Sequence, residues 1–423
     1  MKNCVFENTD RVGRFFHDVL TRSAVSLAGF CRWLAIVAVW LVWATAPATA
    51  QQTDGETTAQ DTLRISLLTC SPGQQSYELY GHTALLVEKP AMPAKAYNYG
   101  VFFFDEPHFV WHFVLGRPIY WLASIPAQFF YAEYWDAGRS VVKQPLNLSP
   151  TQMARLDSLL CDNALPDKAR YPYNIFTNNC TSRALDKLFE ALGDSLMVDA
   201  DCWLPQTYRT ILHHHSQGSP WLQFGQDLIL GSAADTLLSA RAQAAFPLTA
   251  LQYLRRAKVC REGRWEPLVV GEQELFPARQ AETGEPLLTP MATALFLVLL
   301  ALYLTHRERR GKRTGAFLFD MGFFGVQTLG GCLVAFLFCG SAHPTVGSNW
   351  LITVLNPLAL LFLLAKIRAR RTGELPRFVA PLALLMLTGF FVGAFFQNYP
   401  PEIYLLALIL LMRTLYPRIY PKP

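Results

Sequence analysis

Gly81-His82-Thr83-Ala84-Leu85-Leu86-Val87 is the stretch that decides the fold, because it predicts a β-strand that begins beside a histidine. Later in the chain, Asn179-Cys180-Thr181 precedes apolar residues at helical spacing that stop at Gly193, so a helix is predicted to begin at the cysteine. A strand and a helix that each start with a reactive side chain indicate an α+β domain whose chemistry lies where these elements begin.

The pair His82 and Cys180 has the chemistry of a base and a nucleophile. A thiol in the first turn of a helix lies at the positive end of the helix dipole, which lowers its pKa and favours the thiolate. An imidazole held in a sheet can be pointed at that thiolate and take its proton. Each residue alone has an ordinary explanation as a buried structural residue. Their places at the element ends favour the catalytic interpretation.

The composition indicates a membrane protein. Hydrophobic residues make up 52% of the 423 residues, and the formal net charge is only +5. The basic residues gather near the N-terminus and in two loops between apolar stretches, which is typical of membrane orientation and argues against a nucleic-acid partner. The sequence has no dinucleotide-binding glycine pattern, no phosphate-binding loop and no HExxH motif. We therefore predict no cofactor.

The first 50 residues have the pattern of an export signal. Basic residues precede an apolar run from Leu34 to Val42, and Ala48-Thr49-Ala50 offers a cleavage site of small residues. Residues 1–50 are therefore predicted to be a signal peptide or, if uncleaved, a signal anchor. In either case the segment that follows is expected outside the cytoplasm.

Residues 61–275 are predicted to form this extracytoplasmic thiol domain. Ser149-Pro150-Thr151-Gln152 is a capping box with proline at the first helical position, and it predicts one helix among the strands that separate His82 from Cys180. Residues 97–135 are dense in aromatic side chains, which leaves two interpretations open. They could form the domain core, or an apolar groove for acyl chains beside a bilayer.

The remainder of the chain is predicted to be an all-α polytopic membrane domain over residues 288–416, with about five transmembrane helices. Its apolar stretches lie near 288–305, 315–340, 350–366, 378–396 and 402–416. All but the last approach or exceed the roughly 20 residues that cross hydrocarbon.

The loops of this region predict its orientation. Lysine and arginine are concentrated at 307–313 and 366–377, whereas 341–349 and 397–402 contain neither. The positive-inside rule therefore places the thiol domain outside the cytoplasm, in agreement with the export signal. His343 then lies in an outward loop, where it could bind a lipid head group or have no role. Asp320 lies within an apolar stretch, and we expect its side chain to snorkel to the interface.

Cysteine and histidine usage predicts a free thiol and no metal site. Five cysteines fall in the exported domain, an odd number, so at least one is unpaired within the chain: Cys70, Cys161, Cys180, Cys202 and Cys260. His213-His214-His215 is a contiguous run, unlike the spaced ligands of a structural zinc site.

Longer motifs around these residues resemble a known family. The order of a histidine on one strand, a polar residue on the next and a cysteine on a helix is similar to that of the circularly permuted papain-like enzymes of the NlpC/P60 and lecithin:retinol acyltransferase group. Four motifs are similar to those of the DUF4105 family, which includes the Lnb-type lipoprotein N-acyltransferases: Tyr80-Gly81-His82-Thr83-Ala84, Tyr97-Asn98-Tyr99-Gly100, Phe113-Val114-Leu115-Gly116 and Asn178-Asn179-Cys180-Thr181-Ser182-Arg183.

The resemblance implies roles for individual residues. It implies that His82 is the base and Cys180 the nucleophile, with Asn98 as the third catalytic residue. Family members also carry a C-terminal membrane domain with an outward His-Pro motif, which His343-Pro344 matches. The residues that it suggests for substrate binding are Tyr80, Asn179, Arg183 and His343.

The implied reaction moves an acyl chain from a membrane phospholipid, through a thioester on Cys180, to the α-amine of the lipidated cysteine at a lipoprotein N-terminus. We would expect a multi-pass protein of the cell inner membrane with its catalytic domain on the periplasmic side. Two other classes stay open. A cell-wall amidase or peptidase of the NlpC/P60 type would use the same residues but has little need of five spans. A non-catalytic membrane scaffold or transporter would leave the pairing of cysteine and histidine to chance.

Overall fold

A computed structural model describes residues 62–199, 203–279 and 288–415. The predicted export signal over residues 1–50 lies outside these ranges, as does Cys202. Within them the chain has a sheet-rich thiol domain followed by a helical domain, so the expected change from α+β to all-α architecture is confirmed.

The thiol domain is built on a seven-stranded antiparallel sheet with strand order β10-β5-β1-β2-β3-β4-β6. Strands β7, β8 and β9 form a separate small sheet. The strands are β1 (Arg64–Cys70), β2 (His82–Glu88), β3 (Lys95–Val101), β4 (Ile119–Pro126), β5 (Val141–Pro145), β6 (Arg170–Pro172), β7 (Leu196–Val198), β8 (Ala257–Arg261), β9 (Arg264–Pro267) and β10 (Gln273–Phe276). The predicted strand is thus confirmed, and it begins at His82.

Eight α-helices accompany these strands in the described part of the thiol domain. They are α1 (Phe109–Val114), α2 (Ala127–Asp136), α3 (Pro150–Asn163), α4 (Cys180–Leu192), α5 (Tyr208–Ser216), α6 (Pro220–Ile229), α7 (Ala240–Gln243) and α8 (Pro247–Arg256). The predicted capping box is present at the start of α3, where Ser149 and Gln152 exchange hydrogen bonds. The predicted helix at the cysteine is α4, which ends before Gly193.

The expectation of a single helix between His82 and Cys180 was wrong, because α1, α2 and α3 all lie there. Helices α1 and α2 have the sequences Phe-Val-Trp-His-Phe-Val and Ala-Gln-Phe-Phe-Tyr-Ala-Glu-Tyr-Trp-Asp. Aromatic and β-branched residues favour strands when they are considered locally. Contacts with the sheet and with the helical domain override that preference here.

Helices cover both faces of the sheet. Leu85 and Val87 of β2 face a core shared with α3, α4 and α8, whereas Ala84 and Leu86 face a second core shared with α2. This alternation follows from the two-residue period of a strand. His82 is in phase with the second set, so its ring lies on the side of the sheet covered by α2.

The helical domain has five α-helices in its described part. They are α9 (Pro290–Arg309), α10 (Thr314–Gly340), α11 (Ala359–Thr372), α12 (Val379–Gly393) and α13 (Pro401–Leu415). Of these, α9 and α10 are long and apolar enough to cross a membrane. The other three have 14, 15 and 15 residues, so α11 and α12 are shorter than the predicted stretches whereas α13 has the predicted length. The third predicted stretch, 350–366, is split because Pro357 interrupts it and the α-helix begins only at Ala359.

The prediction that Asp320 snorkels to the interface was wrong. Its side chain is buried, and it accepts hydrogen bonds of 2.6 and 2.9 Å from Arg413. Lys366 lies 3.1 Å from the same carboxylate, and Glu308 accepts a 3.0 Å bond from Arg413. We name these four residues the ion cluster. It joins α9, α10, α11 and α13 and balances two acids with two bases, which explains how charges can be buried there.

Candidate active site

His82 and Asn98 meet at the end of the sheet where β2 begins and β3 ends. The imidazole Nε2 lies 2.5 Å from the amide oxygen Oδ1 of Asn98. That oxygen can only accept, so Nε2 carries the proton of this bond. The other ring nitrogen, Nδ1, is then free of a proton and can accept one from a thiol. The pairing of His82 with Asn98 agrees with the order of residues expected from the sequence.

Cys180 stands at the first position of α4, as its sequence predicts. Asn179 caps this helix, because its Oδ1 accepts hydrogen bonds of 2.9 Å from the backbone N–H groups of both Thr181 and Ser182. The amide nitrogen of Asn179 donates to Ile175 O and Ala245 O. Asn179 is therefore a buried capping residue whose polar atoms are all engaged by the protein. It positions Cys180, while its predicted contact with substrate stays a prediction.

Gly100 brings the thiol and the imidazole to the same place. A β-carbon added at Gly100 would stand 3.1 Å from Cys180 Cβ and 3.6 Å from His82 Cε1. The backbone of Gly100 has φ +92°, a value that favours glycine. The absence of a side chain thus lets the two reactive residues approach across the end of β3.

The two residues shift each other's pKa towards an ion pair. Burial alone would raise the pKa of the Cys180 thiol, but the charge and hydrogen bond of His82, with smaller help from Thr181 and Thr83, lower it below the ordinary 9.0. Burial would lower the pKa of His82, but the Cys180 thiolate and the bond to Asn98 raise it above 6.5. A thiolate beside an imidazolium is the reactive form of a nucleophilic cysteine.

Helix α2 covers the imidazole. The Tyr134 ring stacks on the His82 ring at 6.1 Å between centroids, and the Phe130 ring lies at 6.4 Å. The Arg139 guanidinium lies over the Tyr134 ring, 4.7 Å from its centroid, and its Nε donates to Ser71 O. These contacts fix the ring plane of His82. Sequence reasoning missed Tyr134 and Arg139, since neither stands in a motif.

Two tyrosines, Tyr120 and Tyr173, belong to the apolar cluster against which Cys180 packs. Burial, and then the charge of Cys180, raise the pKa of Tyr120 and Tyr173, whose rings stack at 4.0 Å. They therefore remain neutral and give the thiol an aromatic wall. Cys70 pairs with His82 in the register of β1 and β2, and burial strongly raises its pKa, so it is an inert neighbour rather than a second nucleophile.

The other predicted site residues each contact another group of the protein. Tyr80 receives a 2.8 Å hydrogen bond from Gln226, and burial raises its pKa to about 12. The Arg183 guanidinium lies 4.7 Å from the ring centroid of Tyr171. His343 Nε2 lies 2.9 Å from Phe113 O and bonds to that carbonyl. Contacts of these residues with a substrate stay predictions.

The histidine run occupies the last turn of α5. His213 bonds to Asp227, and His215 packs on Tyr80. Within residues 62–199, 203–279 and 288–415, no group of three histidine, cysteine, aspartate or glutamate side chains is arranged to hold a metal ion. The expectation of no metal stays a prediction.

Comparison with known families agrees with this two-part architecture. The family model described as the Lnb N-terminal periplasmic domain matches residues 50–214, and the one described as the Lnb transmembrane domain matches residues 281–422. The first match contains His82, Asn98 and Cys180, and the second contains helices α9 to α13. Searches of curated proteins and of solved structures gave no match.

Proposed function

Since the chain belongs to the Lnb family and is a membrane protein with a periplasmic domain, we propose that it is a cysteine-dependent lipoprotein N-acyltransferase. It would take an acyl chain from a membrane phospholipid and transfer it to the α-amine of an N-terminal lipidated cysteine. The observation that carries the proposal is the arrangement of Asn98, His82 and Cys180, in which one nitrogen of the imidazole is held and the thiol pKa is lowered.

In the first half-reaction, the Cys180 thiolate attacks an ester carbonyl of the phospholipid. The new carbon–sulfur bond forms as the carbonyl becomes a tetrahedral oxyanion, and the ester C–O bond then breaks. His82, which received the thiol proton at Nδ1, returns that proton to the leaving glycerol oxygen. The products are a thioester on Cys180 and a lysophospholipid.

In the second half-reaction, the amine of the acceptor attacks the thioester carbonyl. His82 takes a proton from the attacking nitrogen, an amide bond forms, and Cys180 leaves as the thiolate. Asn98 would keep Nε2 protonated throughout, so that Nδ1 always faces the reacting atoms. The aromatic wall of Tyr120 and Tyr173 favours this transfer because it limits the access of water to the thioester.

The oxyanion needs hydrogen-bond donors. We propose the backbone N–H of Cys180, since Asn179 already uses the next two amides of α4. Removing one such donor costs about 3 kcal/mol of transition-state stabilisation in other acyl-transfer enzymes. The dipole of α4 adds to this stabilisation at the same position.

We further propose a circularly permuted papain-like fold for the thiol domain and a multi-pass topology in the cell inner membrane. The order of His82 on β2, Asn98 on β3 and Cys180 on α4 supports the permutation. Helices α9 and α10 meet the length and composition of membrane spans. The shorter helices α11, α12 and α13 share a hydrophobic cluster with α10, and the ion cluster links α11 and α13 to α9 and α10, which supports one polytopic bundle.

The decisive experiment detects the thioester. Purified protein in phospholipid vesicles without an amine acceptor should gain the mass of one acyl group, and neutral hydroxylamine should remove it. Cys180→Ala should never acquire the label, and His82→Ala should acquire it at least about a hundredfold more slowly. Cys161→Ala is the matched control, because Cys161 is an exposed thiol on α3 outside the site.

Adding a diacylglyceryl-cysteine peptide with a free α-amine should discharge the thioester and yield an N-acylated peptide. Acylation of Cys180 by a peptidoglycan peptide with release of the amine, and no acylation by phospholipid, would support a cell-wall amidase or peptidase. If the wild-type protein is active but never carries an acyl group on Cys180, the thiol mechanism is excluded. A protein with no acyl-transfer activity in either assay would favour a scaffold or transporter.

A further inference from the structure

Helix α1 exposes its apolar side chains although it belongs to the water-facing domain. Val110, Trp111 and Phe113 are 64, 53 and 44% exposed, and Phe104 in the preceding turn is 64% exposed. Only Phe109 of this helix is buried. Soluble domains rarely leave such a contiguous apolar surface in water, and a surface of this kind usually contacts a membrane or another molecule.

The C-terminus of α1 is capped by the outward loop of the helical domain. Ser341 Oγ donates a 2.9 Å hydrogen bond to Val114 O, and the backbone N–H of Ala342 donates one of 2.8 Å to Leu115 O. His343 Nε2 donates to the carbonyl of Phe113. Three successive carbonyls at the end of α1 are thus bonded by consecutive residues of one loop, and one of them, Phe113 O, also accepts from the backbone N–H of Gly116.

Gly116 makes this contact close. A β-carbon added there would stand 2.6 Å from His343 N and 2.9 Å from Ala342 C, so only glycine lets the two backbones meet. The three bonds and the close contact hold α1 in a fixed place beside the end of α10, which terminates at Gly340.

The position of Trp111 indicates where α1 lies relative to the membrane surface. Its ring lies 5.5 Å from the ring of Phe336, one turn before the end of α10. Helix α10 is long and apolar enough to span a membrane, and the positive-inside rule puts this end on the outer side. Tryptophan is enriched at the interface between hydrocarbon and head groups. The exposed face of α1 therefore continues the lipid-facing surface of α10.

A series of ring contacts leads from α1 to the thiol. Phe113 contacts Phe109 at 6.5 Å, Phe109 contacts Phe102 at 5.3 Å, and Phe102 contacts Tyr120 at 4.9 Å. Tyr120 stacks on Tyr173, which belongs to the aromatic wall of Cys180. This series of ring contacts begins at the exposed face of α1 and ends in the apolar cluster against which Cys180 packs.

We propose that α1 is an outer-leaflet contact, in which Val110, Trp111 and Phe113 lie among the acyl chains of membrane lipid and guide the donor phospholipid towards Cys180. The contact with lipid follows from the exposed face and its continuity with α10. The guidance of a donor rests on the proposed function. His343 has the role of a positioning residue, since it holds α1 at the membrane surface through Phe113 O.

Photo-crosslinking tests the contact with lipid independently of activity. A benzophenone amino acid in place of Val110, in full-length protein reconstituted in vesicles of phosphatidylethanolamine and phosphatidylglycerol, should form lipid adducts on illumination. The same amino acid in place of Trp265, an exposed residue of β9, is the matched control and should form few. Equal labelling at both positions, or none at 110, would overturn the inference.

Donor selectivity tests the guidance. Trp111→Glu should lower kcat/KM at least about tenfold with vesicle phospholipid, because a carboxylate is poorly tolerated among acyl chains. With a water-soluble butyryl thioester, which does not come from the bilayer, the same variant should change kcat/KM less than about twofold. A tenfold change corresponds to about 1.4 kcal/mol. Trp265→Glu should affect neither donor.

The outcomes separate the two proposals. If Trp111→Glu loses activity with both donors, α1 has a structural role, and the proposal that it guides the phospholipid donor is overturned. Unchanged use of vesicle phospholipid would overturn it as well. A wild-type protein that uses neither donor would refute the proposed acyltransferase function, whereas the crosslinking result would still decide whether α1 contacts lipid.

Discussion

The hydroxyl groups of Thr83 and Thr181 lie 3.0 Å apart in the buried interior, and each threonine directly follows one of the two reactive residues. This hydrogen bond joins the start of β2 to the first turn of α4. It therefore helps to set the separation of His82 and Cys180.

Replacing one of these threonines should loosen the pair. Thr181→Val leaves the hydroxyl of Thr83 buried without its partner, which costs roughly 1–3 kcal/mol, and we expect a lower thermal midpoint in detergent and slower alkylation of Cys180. The double variant Thr83→Val/Thr181→Val removes both polar groups and should recover part of the stability. Additive losses in the double variant would show that the two hydroxyls do not act together.

An alanine at position 100 should separate the thiol from the imidazole. The new methyl group would meet Cys180 Cβ at 3.1 Å, and the backbone φ of +92° disfavours any side chain. We expect kcat to fall about a hundredfold, since displacing reacting groups by about 1 Å has this effect in other enzymes. Gly263→Ala, with positive φ but open space around it, controls for backbone strain alone. Equal loss in both variants would contradict the steric explanation.

The pH dependence of thiol alkylation should reveal the lowered pKa. Because His82 lowers the pKa of Cys180, the thiolate persists below pH 9.0 and is lost only as the pH falls through the lowered value. The alkylation rate of Cys180 by iodoacetamide should therefore reach half its maximum below pH 9.0. His82→Ala should move that midpoint upwards, because the remaining burial raises the pKa. An unchanged midpoint in His82→Ala would exclude the ion pair.

The ion cluster should stabilise the helical domain. Asp320→Ala leaves Arg413 and Lys366 buried with Glu308 as the remaining acid, and breaking a buried pair in this way costs about 3–5 kcal/mol. We expect a clearly lower thermal midpoint in detergent. Arg310→Ala, in the exposed loop after α9, is the control and should have little effect. Similar midpoints for the two variants would show that the cluster contributes no net stability.

Reporter fusions should test the orientation of the bundle. A reporter that is active only outside the cytoplasm should give signal when fused after residue 275 or 345, and none when fused after 310 or 372. The arginine-rich loops at 307–313 and 366–377 are the physical reason, since translocating them is unfavourable. Signal from the fusion at 310 with none from the fusion at 345 would show the opposite topology. It would also contradict the contact of α1 with the outer leaflet.

Local patterns predicted the elements that carry His82 and Cys180. The strand at His82, the capping box at Ser149 and the helix that runs from Cys180 to Leu192 are present as expected. Each depends on side-chain periodicity or on a cap within a few residues, and such signals are readable in the sequence. The placement of Asn98 on the next strand followed from the family resemblance and agrees with its contact to His82.

Helices α1 and α2 could not be predicted in this way. Their aromatic residues favour strands locally, and α1 depends on Ser341, Ala342 and His343 to cap its carbonyls. Those residues lie more than 200 positions away along the chain. The stacking of Tyr134 on His82 is likewise a contact between elements and leaves no pattern in the sequence.

The sequence by itself determined that a strand begins at His82, that a helix begins at Cys180 and that a sheet-rich domain precedes an apolar helical domain, because composition, periodicity and capping are properties of neighbouring residues. Only the tertiary structure decided that the amide of Asn179 is held by Ile175 O and Ala245 O, that Asp320 is paired with Arg413, and that His343 holds α1. A polar side chain contributes according to the partner it meets, and those partners are brought together only when the helices and strands pack.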